Sequence, residues 1–235
     1  VSGDAAQWRH AMEQLAGHLD QRGLVRYFPD TEGSEVLTAY LLDLASLYGR
    51  EIPAVPRARM RAALRAALAG GAPSDWLPAG GMAAHRLALQ AALAPDLGKV
   101  PPYVPRDVAS LPTVALLDWV RYLLATPASP ARRQRLDAAA AALRGRYELQ
   151  GTRLSWRGEH GRAAWWMMWT GDVVAARTAL LVQRWQQVDP RWKDDAARLI
   201  AALVERQRHG HWDSTVGNAW GVAAAQAFGA GAEQG

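Results

Sequence analysis

Apolar positions recur along almost the whole chain three and four residues apart, the spacing of an α-helix. Trp8, Met12, Leu15 and Leu19 form one such stripe, and Trp192, Ala196, Leu199, Ile200 and Leu203 form another. Each predicts a helix with one buried face. Other segments are apolar nearly all round, as in the run from Val114 to Leu124, and such helices belong inside a fold. Breakers and caps predict about nine helices, over 4–21, 34–48, 57–69, 80–93, 111–125, 130–144, 172–186, 191–208 and 214–228. Ser34 and Ser214 suit N-caps because a hydroxyl accepts an orphan backbone N–H, and Pro56 and Pro130 suit a first turn. The stretch from Tyr147 to Trp156 sets Gly151 between two short alternating runs, which fits a β-hairpin near 147–156 or an ordered loop.

Short linkers make consecutive helices antiparallel neighbours, so alternation of amphipathic and apolar helices predicts an outer ring around an inner one. The expected fold is all-α, an α/α toroid built as a ring of helical hairpins, with residues 1–235 as a single domain. Half the residues are apolar, only two are Phe and eleven are Trp. That many indoles calls for wide helix–helix seams or a lined cavity. The net charge of +5 is spread along amphipathic segments, so no nucleic-acid-binding arm is expected. The chain lacks cysteine, which excludes disulfides, thiolate metal sites, a cysteine nucleophile and a Cys–Gln thioester within these residues. No apolar run is long enough to span a bilayer. The chain starts at Val1 without a signal peptide, and we expect it to be a piece of something longer.

The most specific signal is an internal repeat. Gln21-Arg22-Gly23-Leu24 and the aromatic pair Tyr27-Phe28 precede Ser34-Glu35-Val36-Leu37-Thr38-Ala39-Tyr40. Gln207-Arg208-His209-Gly210-His211-Trp212 precedes Ser214-Thr215-Val216-Gly217-Asn218-Ala219-Trp220. A weaker third copy runs from Trp169-Thr170-Gly171-Asp172 into Arg177-Thr178-Ala179-Leu180. Each copy reads as an outer helix ending at a glycine stop, an aromatic plug in the turn, and a capped inner helix that packs closely through Ala. Such a unit cannot bury its own apolar face, so copies must close into a ring or stack.

Gln207, Gly210 and Trp212 followed by Ser214-Thr215, Asn218, Ala219 and Trp220 resemble the last helical hairpin of alpha-2-macroglobulin thioester domains. Phe28-Pro29 and Leu37-Thr38-Ala39-Tyr40 resemble an earlier hairpin, and Asp172–Leu180 is similar to another inner helix. The resemblance spans roughly residues 5 to 228, and terpene cyclases and prenyltransferase β subunits share the toroid and the Gln-Gly-Trp turn. It implies a bacterial alpha-2-macroglobulin-like parent that traps or inhibits endopeptidases in envelope or host defence. It further implies a periplasmic setting, a lipoprotein parent anchored to the inner membrane, and proteases and neighbouring domains of the same chain as partners. The family's domain resembles six helical hairpins, so the deficit against twelve helices would fall at the N-terminus. There the family's thioester members hold Cys-x-Glu-Gln, whose Gln acylates the Cys sulfur. Ala11-Met12-Glu13-Gln14 has Ala where the sulfur must be and sits elsewhere, on a predicted helix just ahead of the Gly23 turn.

Catalysis is not expected, nor are a cofactor, a metal or membrane insertion, and the chain is expected to be a monomer. On a toroidal carbohydrate-active enzyme, the rival reading, inner-ring carboxylates would flank a sugar, with Asp30, Glu32, Asp43, Asp118, Glu159 and Asp213 as candidates. A purely architectural interaction module is the third. The doublet Asp194-Asp195 suits a helix N-terminal dipole, not a terpene-cyclase acid. His209 and His211 have no third ligand type nearby, and His85 and His160 stand alone. Structural roles are expected for Ser34, Thr38, Ala39, Tyr40, Thr178, Gln207, Gly210, Trp212, Ser214, Asn218, Ala219 and Trp220. Trp165 and Trp169 would share a helical face that Trp166 leaves, and these three form the expected interaction patch.

Overall fold

A computed structural model describes residues 2–71, 73, 76–78, 81–94, 100–150, 153–157 and 167–232. Among them the chain is all-α with a short β-hairpin, as the apolar periodicity predicts. The nine α-helices are α1 Ser2–Gln14, α2 Glu35–Leu47, α3 Ala54–Leu68, α4 Gly81–Leu93, α5 Thr113–Ala125, α6 Pro130–Arg144, α7 Gly171–Trp185, α8 Lys193–Glu205 and α9 Thr215–Ala232. Contacts divide the chain into two compact units, Val1–Val104 and Pro105–Gly235.

In the first unit α2 and α4 carry the core. Val36, Ala39, Leu42 and Ala45 of α2 are buried with Leu87, Leu89, Ala91 and Leu93 of α4. Helix α3 closes over both and turns in a single stripe, Pro56, Met60 and Leu64. Strands β1 Val25–Arg26 and β2 Gly33–Ser34 pair antiparallel just ahead of α2. The predicted helix 4–21 is shorter than its apolar stripe suggests. The α-helix stops at Gln14 and tightens into a 3-10 turn over Leu15–His18, so Ala11-Met12-Glu13-Gln14 closes α1 instead of lying within a continuous helix.

In the second unit α7 is buried on nearly every face and packs against α5, α8 and α9. Helix α5 is likewise buried from Thr113 to Val120. Their neighbours α6 and α8 bury one stripe each, Ala139, Ala140 and Leu143 in α6 and Ala196, Leu199, Ile200 and Leu203 in α8. Ser129 caps α6 by accepting from the Arg132 N–H (3.1 Å), with Pro130 in the first turn as predicted. Strands β3 Tyr147–Gln150 and β4 Arg153–Trp156 form the expected hairpin, with Tyr147 opposite Trp156. It is tied to α8 through Tyr147, whose hydroxyl donates to Asp195 (3.2 Å). Arg144 reaches the same carboxylate and covers the Trp192 ring at 4.0 Å. Burial first, then the Asp195 charge, pushes the Tyr147 hydroxyl pKa well up. Asp195 sits in the first turn of α8, where the helix dipole favours it, and also serves as a cross-link between elements.

Candidate functional site

The sequence repeat is a repeat of hydrogen bonds. In the last copy Gly210 takes a φ of +81° and His209 one of +54°, a left-handed pair that turns the chain sharply. Two residues later the Trp212 N–H donates to Asn218 Oδ1 (2.9 Å). The Trp212 indole N–H donates to the Leu203 carbonyl (3.0 Å), and its buried ring lies against Gly221, where a Cβ would come within 2.5 Å of it. Ser214 accepts the Gly217 N–H (3.0 Å), which caps α9.

The first copy uses the same geometry with different side chains. Gly23 has a φ of +92°, and two residues later the Val25 N–H donates to Thr38 Oγ1 (2.8 Å). Ser34 caps α2 by accepting the Leu37 N–H (3.0 Å), and the Thr38 hydroxyl donates to the Ser34 carbonyl (2.6 Å). Thr38 and Asn218 each stand four residues after their capping serine and hold the amide two residues after their glycine. Between that amide and the cap the last copy spends Asp213 alone, whereas the first spends residues 26–33. This extra loop is braced internally. Thr31 bonds both the Phe28 N–H and the Phe28 carbonyl (3.2 and 2.9 Å), and Arg26 donates to the Pro29 carbonyl (2.8 Å). The loop turns Tyr27 and Phe28 outward, 50% and 69% exposed, so they are not the expected plug. In the last copy the plug is real, since Trp212 is 4% exposed.

The third copy is joined to the last. Thr170 caps α7 by accepting the Val173 N–H (3.2 Å) and donates its hydroxyl to Asp213 (2.8 Å). Asp172 accepts from Arg206 Nε (2.5 Å) and from the Asp213 N–H (2.9 Å). Helices α7 and α9 therefore start side by side. One turn deeper Asp118 of α5 pairs with Arg177 of α7, which lies over the Trp220 ring of α9 at 4.9 Å. Contacts at the helix starts and again at Arg177 and Trp220 show that α7 and α9 run in one direction. Thr178 beside them returns its hydroxyl to the Val174 carbonyl (2.7 Å). In the first unit buried Glu35, first residue of α2, meets His85 near the start of α4 at 3.1 Å, so α2 and α4 also start together. His85 does not stand alone, contrary to the sequence reading. An isolated histidine on an apolar helix gives no hint of an acid 50 residues away.

Among the described residues one cleft lies along the loop ahead of α2 and another at the start of α7. The first, of about 650 Å³, is lined by Asp20, Gln21, Arg22, Arg26, Pro29, Asp30, Thr31 and Glu32. The other, of about 530 Å³, is lined by Asp172, Glu205, Arg206, Arg208, His211, Trp212 and Asp213. In the second, Asp172 and Asp213 are occupied in joining helices, and Asp213 also accepts from the Ser214 hydroxyl (3.0 Å). Asp30 and Glu32 are exposed on the extra loop of the first unit, and Asp213 belongs to the second unit. Asp118 is buried against Arg177. Asp43 is half-buried near Tyr40, whose pKa is pushed up to about 12 by burial and then by Tyr48 and Asp43. His211 lies against its neighbour's carbonyl, Trp212 O, at 2.9 Å, and the described residues hold no group of three potential metal ligands. Gln207 makes a backbone bond to the Val204 carbonyl (3.1 Å), and Ala39 is buried while Ala219 is half-buried.

Glu159, His160, Trp165 and Trp166 lie outside the described residues. Trp169 is half-buried, and Met168 before it has a φ of +57°, which interrupts helical register on the way into it. Asp172, Arg206, Glu35 and Arg177 were not singled out from sequence as partners. The available signal was a charged residue inside an apolar helix, as at Asp118 and Arg177, which has to find an opposite charge once buried. Comparison with known protein families, with curated proteins and with solved structures finds no match to this chain.

Proposed function

We propose that this chain is a non-catalytic α/α-toroid module of a bacterial alpha-2-macroglobulin-like endopeptidase inhibitor. The observation that supports it most is the duplicated junction. A glycine turn, an amide held by the side chain four residues after a capping serine, and an inner helix behind it recur at Gly23–Thr38 and Gly210–Asn218. Within each unit, helices buried on many faces and helices buried along a single stripe suit hairpins that would close into a ring. Asp172 and Asp213 tie helices together, in keeping with a scaffold. In this reading residues 1–235 form one ring-building domain of a periplasmic, monomeric parent anchored to the inner membrane. Its partners are proteases, met through the parent, and neighbouring domains.

The test uses the intact parent. Read the sequence upstream of Val1 for Cys-x-Glu-Gln, measure methylamine uptake, and titrate endopeptidases against a large protein substrate. The motif with uptake makes the parent a covalent trap. Inhibition without either makes it a thioester-free one. No inhibition of any endopeptidase overturns the reading and leaves an architectural module.

A carbohydrate-active enzyme has one observation in its favour, the cleft that sets Asp30 and Glu32 beside Arg22 and Arg26. Turnover of a polysaccharide by this chain, abolished by Asp30→Asn or Glu32→Gln, would establish it over the inhibitor reading.

A further inference from the structure

Between α4 and α5 the chain reads Val100-Pro101-Pro102-Tyr103-Val104-Pro105. Proline has no N–H to give to a ladder, and a residue before proline is pushed towards extended backbone. Prolines at 101, 102 and 105 therefore favour a stiff, extended stretch that builds no helix of its own. Residues 101–105 accordingly carry neither helix nor strand. The first compact unit ends within this stretch, at Val104, and the second begins at Pro105.

The stretch buries little. Pro101, Pro102 and Val104 are exposed, and Tyr103 is half-buried. Among the described residues, the hydrogen bonds that hold residues 100–105 both come from one side chain. Gln90 of α4 is 0% exposed; its Oε1 accepts the Tyr103 N–H (2.7 Å) and its Nε2 donates to the Tyr103 carbonyl (3.3 Å). One carboxamide thus gives Tyr103 the two bonds that a neighbouring strand would give. Arg86, one turn earlier on the same face of α4, sets its guanidinium over the Tyr103 ring at 6.0 Å. The body of α4 is fastened differently, by buried Leu87, Leu89, Ala91 and Leu93. A segment with few buried apolar contacts opens more readily than the helix beneath it.

We propose that residues 101–104 form a releasable strap of the first unit, with Gln90 as its catch and Arg86 as a second hold on the tyrosine ring. Closed, it fixes the chain to α4 two residues before the second unit begins. Open, water takes over the bonds at Gln90 and none of residues 101–104 is held to α4. The prolines keep the free strap extended, so it seats again without having to refold. The inference does not depend on the inhibitor reading.

The test is native-state amide exchange on the full chain, read residue by residue by NMR across a urea series kept below the unfolding transition. The Tyr103 N–H should exchange about ten- to a hundred-fold more slowly than the Val104 N–H, which has no partner among the described residues. Its rate should not change with urea, because releasing the strap exposes little surface. The N–H groups of Leu89 and Ala91 inside α4 should follow urea steeply, since they open with the unit as a whole. Gln90→Leu should bring Tyr103 to the Val104 rate, and Arg86→Gln should speed its exchange about three-fold. If Gln90→Leu loses its helical circular dichroism, the urea series on the wild type and Arg86→Gln supply the reading. A Tyr103 rate that rises with urea in step with α4 overturns the proposal, because the strap would then open only when the unit unfolds. So does a Tyr103 N–H that exchanges as fast as Val104 in the wild type, or one that stays protected in a folded Gln90→Leu.

Discussion

The junctions at Gly23 and Gly210 solve one problem with different materials. In each, a chain leaving a glycine turn has to deliver an amide to a helix that starts a few residues later. At Gly210 the delivery is direct, and the aromatic residue that owns the amide, Trp212, fills the space beneath the turn. At Gly23 the amide belongs to Val25, a smaller side chain, and residues 26–33 loop outward before Ser34. The geometry is kept by the polar contact, while the packing is free to differ. An aromatic residue in the repeat is thus a plug only where its own backbone is the one held.

Trp212 carries the largest expected effect. Trp212→Ala removes a fully enclosed indole together with its bond to the Leu203 carbonyl, and should cost about 3–5 kcal/mol in urea unfolding. Gly221→Ala approaches the same ring from the other side and should destabilise by about 1–3 kcal/mol through overpacking. A neutral Gly221→Ala would mean that the ring has room to move and that the plug is loose.

Thr38→Val tests the polar contact itself. Valine keeps the shape of threonine but leaves the Val25 N–H without its acceptor, so a cost of about 2 kcal/mol is expected. Asn218→Ala should cost less, about 1 kcal/mol, because Asn218 is half-buried and water can take over its role. Equal costs would show that the two junctions are alike in energy as well as in geometry.

Tyr40 and Trp220 stand at matching positions in α2 and α9, and only the first can titrate. The pKa of Tyr40, about 12, lies above the ordinary value near 10, so the fold favours its neutral form. That contribution is complete below about pH 10 and is lost as pH rises through 12. Tyr40→Phe should therefore gain on the wild type by about 1 kcal/mol between those limits, discounted for partial exposure. Stability curves that stay parallel up to pH 12 would remove this difference between the copies.

Much of the architecture was legible because helices are specified locally. Stripes, Ser34 and Ser214 as caps, and glycines at 23 and 210 with positive φ all act within a few residues. The repeat order locates both junctions, yet it assigns Thr38 and Asn218 no more than a structural role and names neither of their partners. Those partners lie 13 and 6 residues away across a turn. Glu35 with His85 and Asp118 with Arg177 span 50 and 59 residues, and no local pattern encodes such a pairing. The extra loop defeated the plug prediction for Tyr27 and Phe28 because an insertion preserves the order of motifs while changing which backbone is held.

The smallest expected effect is also the sharpest test of that last point. Phe28→Ser deletes a large aromatic from the same motif in which Trp212 is the buried plug. At 69% exposure, on a turn braced by Thr31, it should change stability by less than about 0.5 kcal/mol. A cost above about 2 kcal/mol would mean that Phe28 is covered in solution and that the two copies share their packing after all. A negligible cost beside a large one for Trp212→Ala would establish that copies of this repeat hold the same hydrogen bond while building different interiors around it.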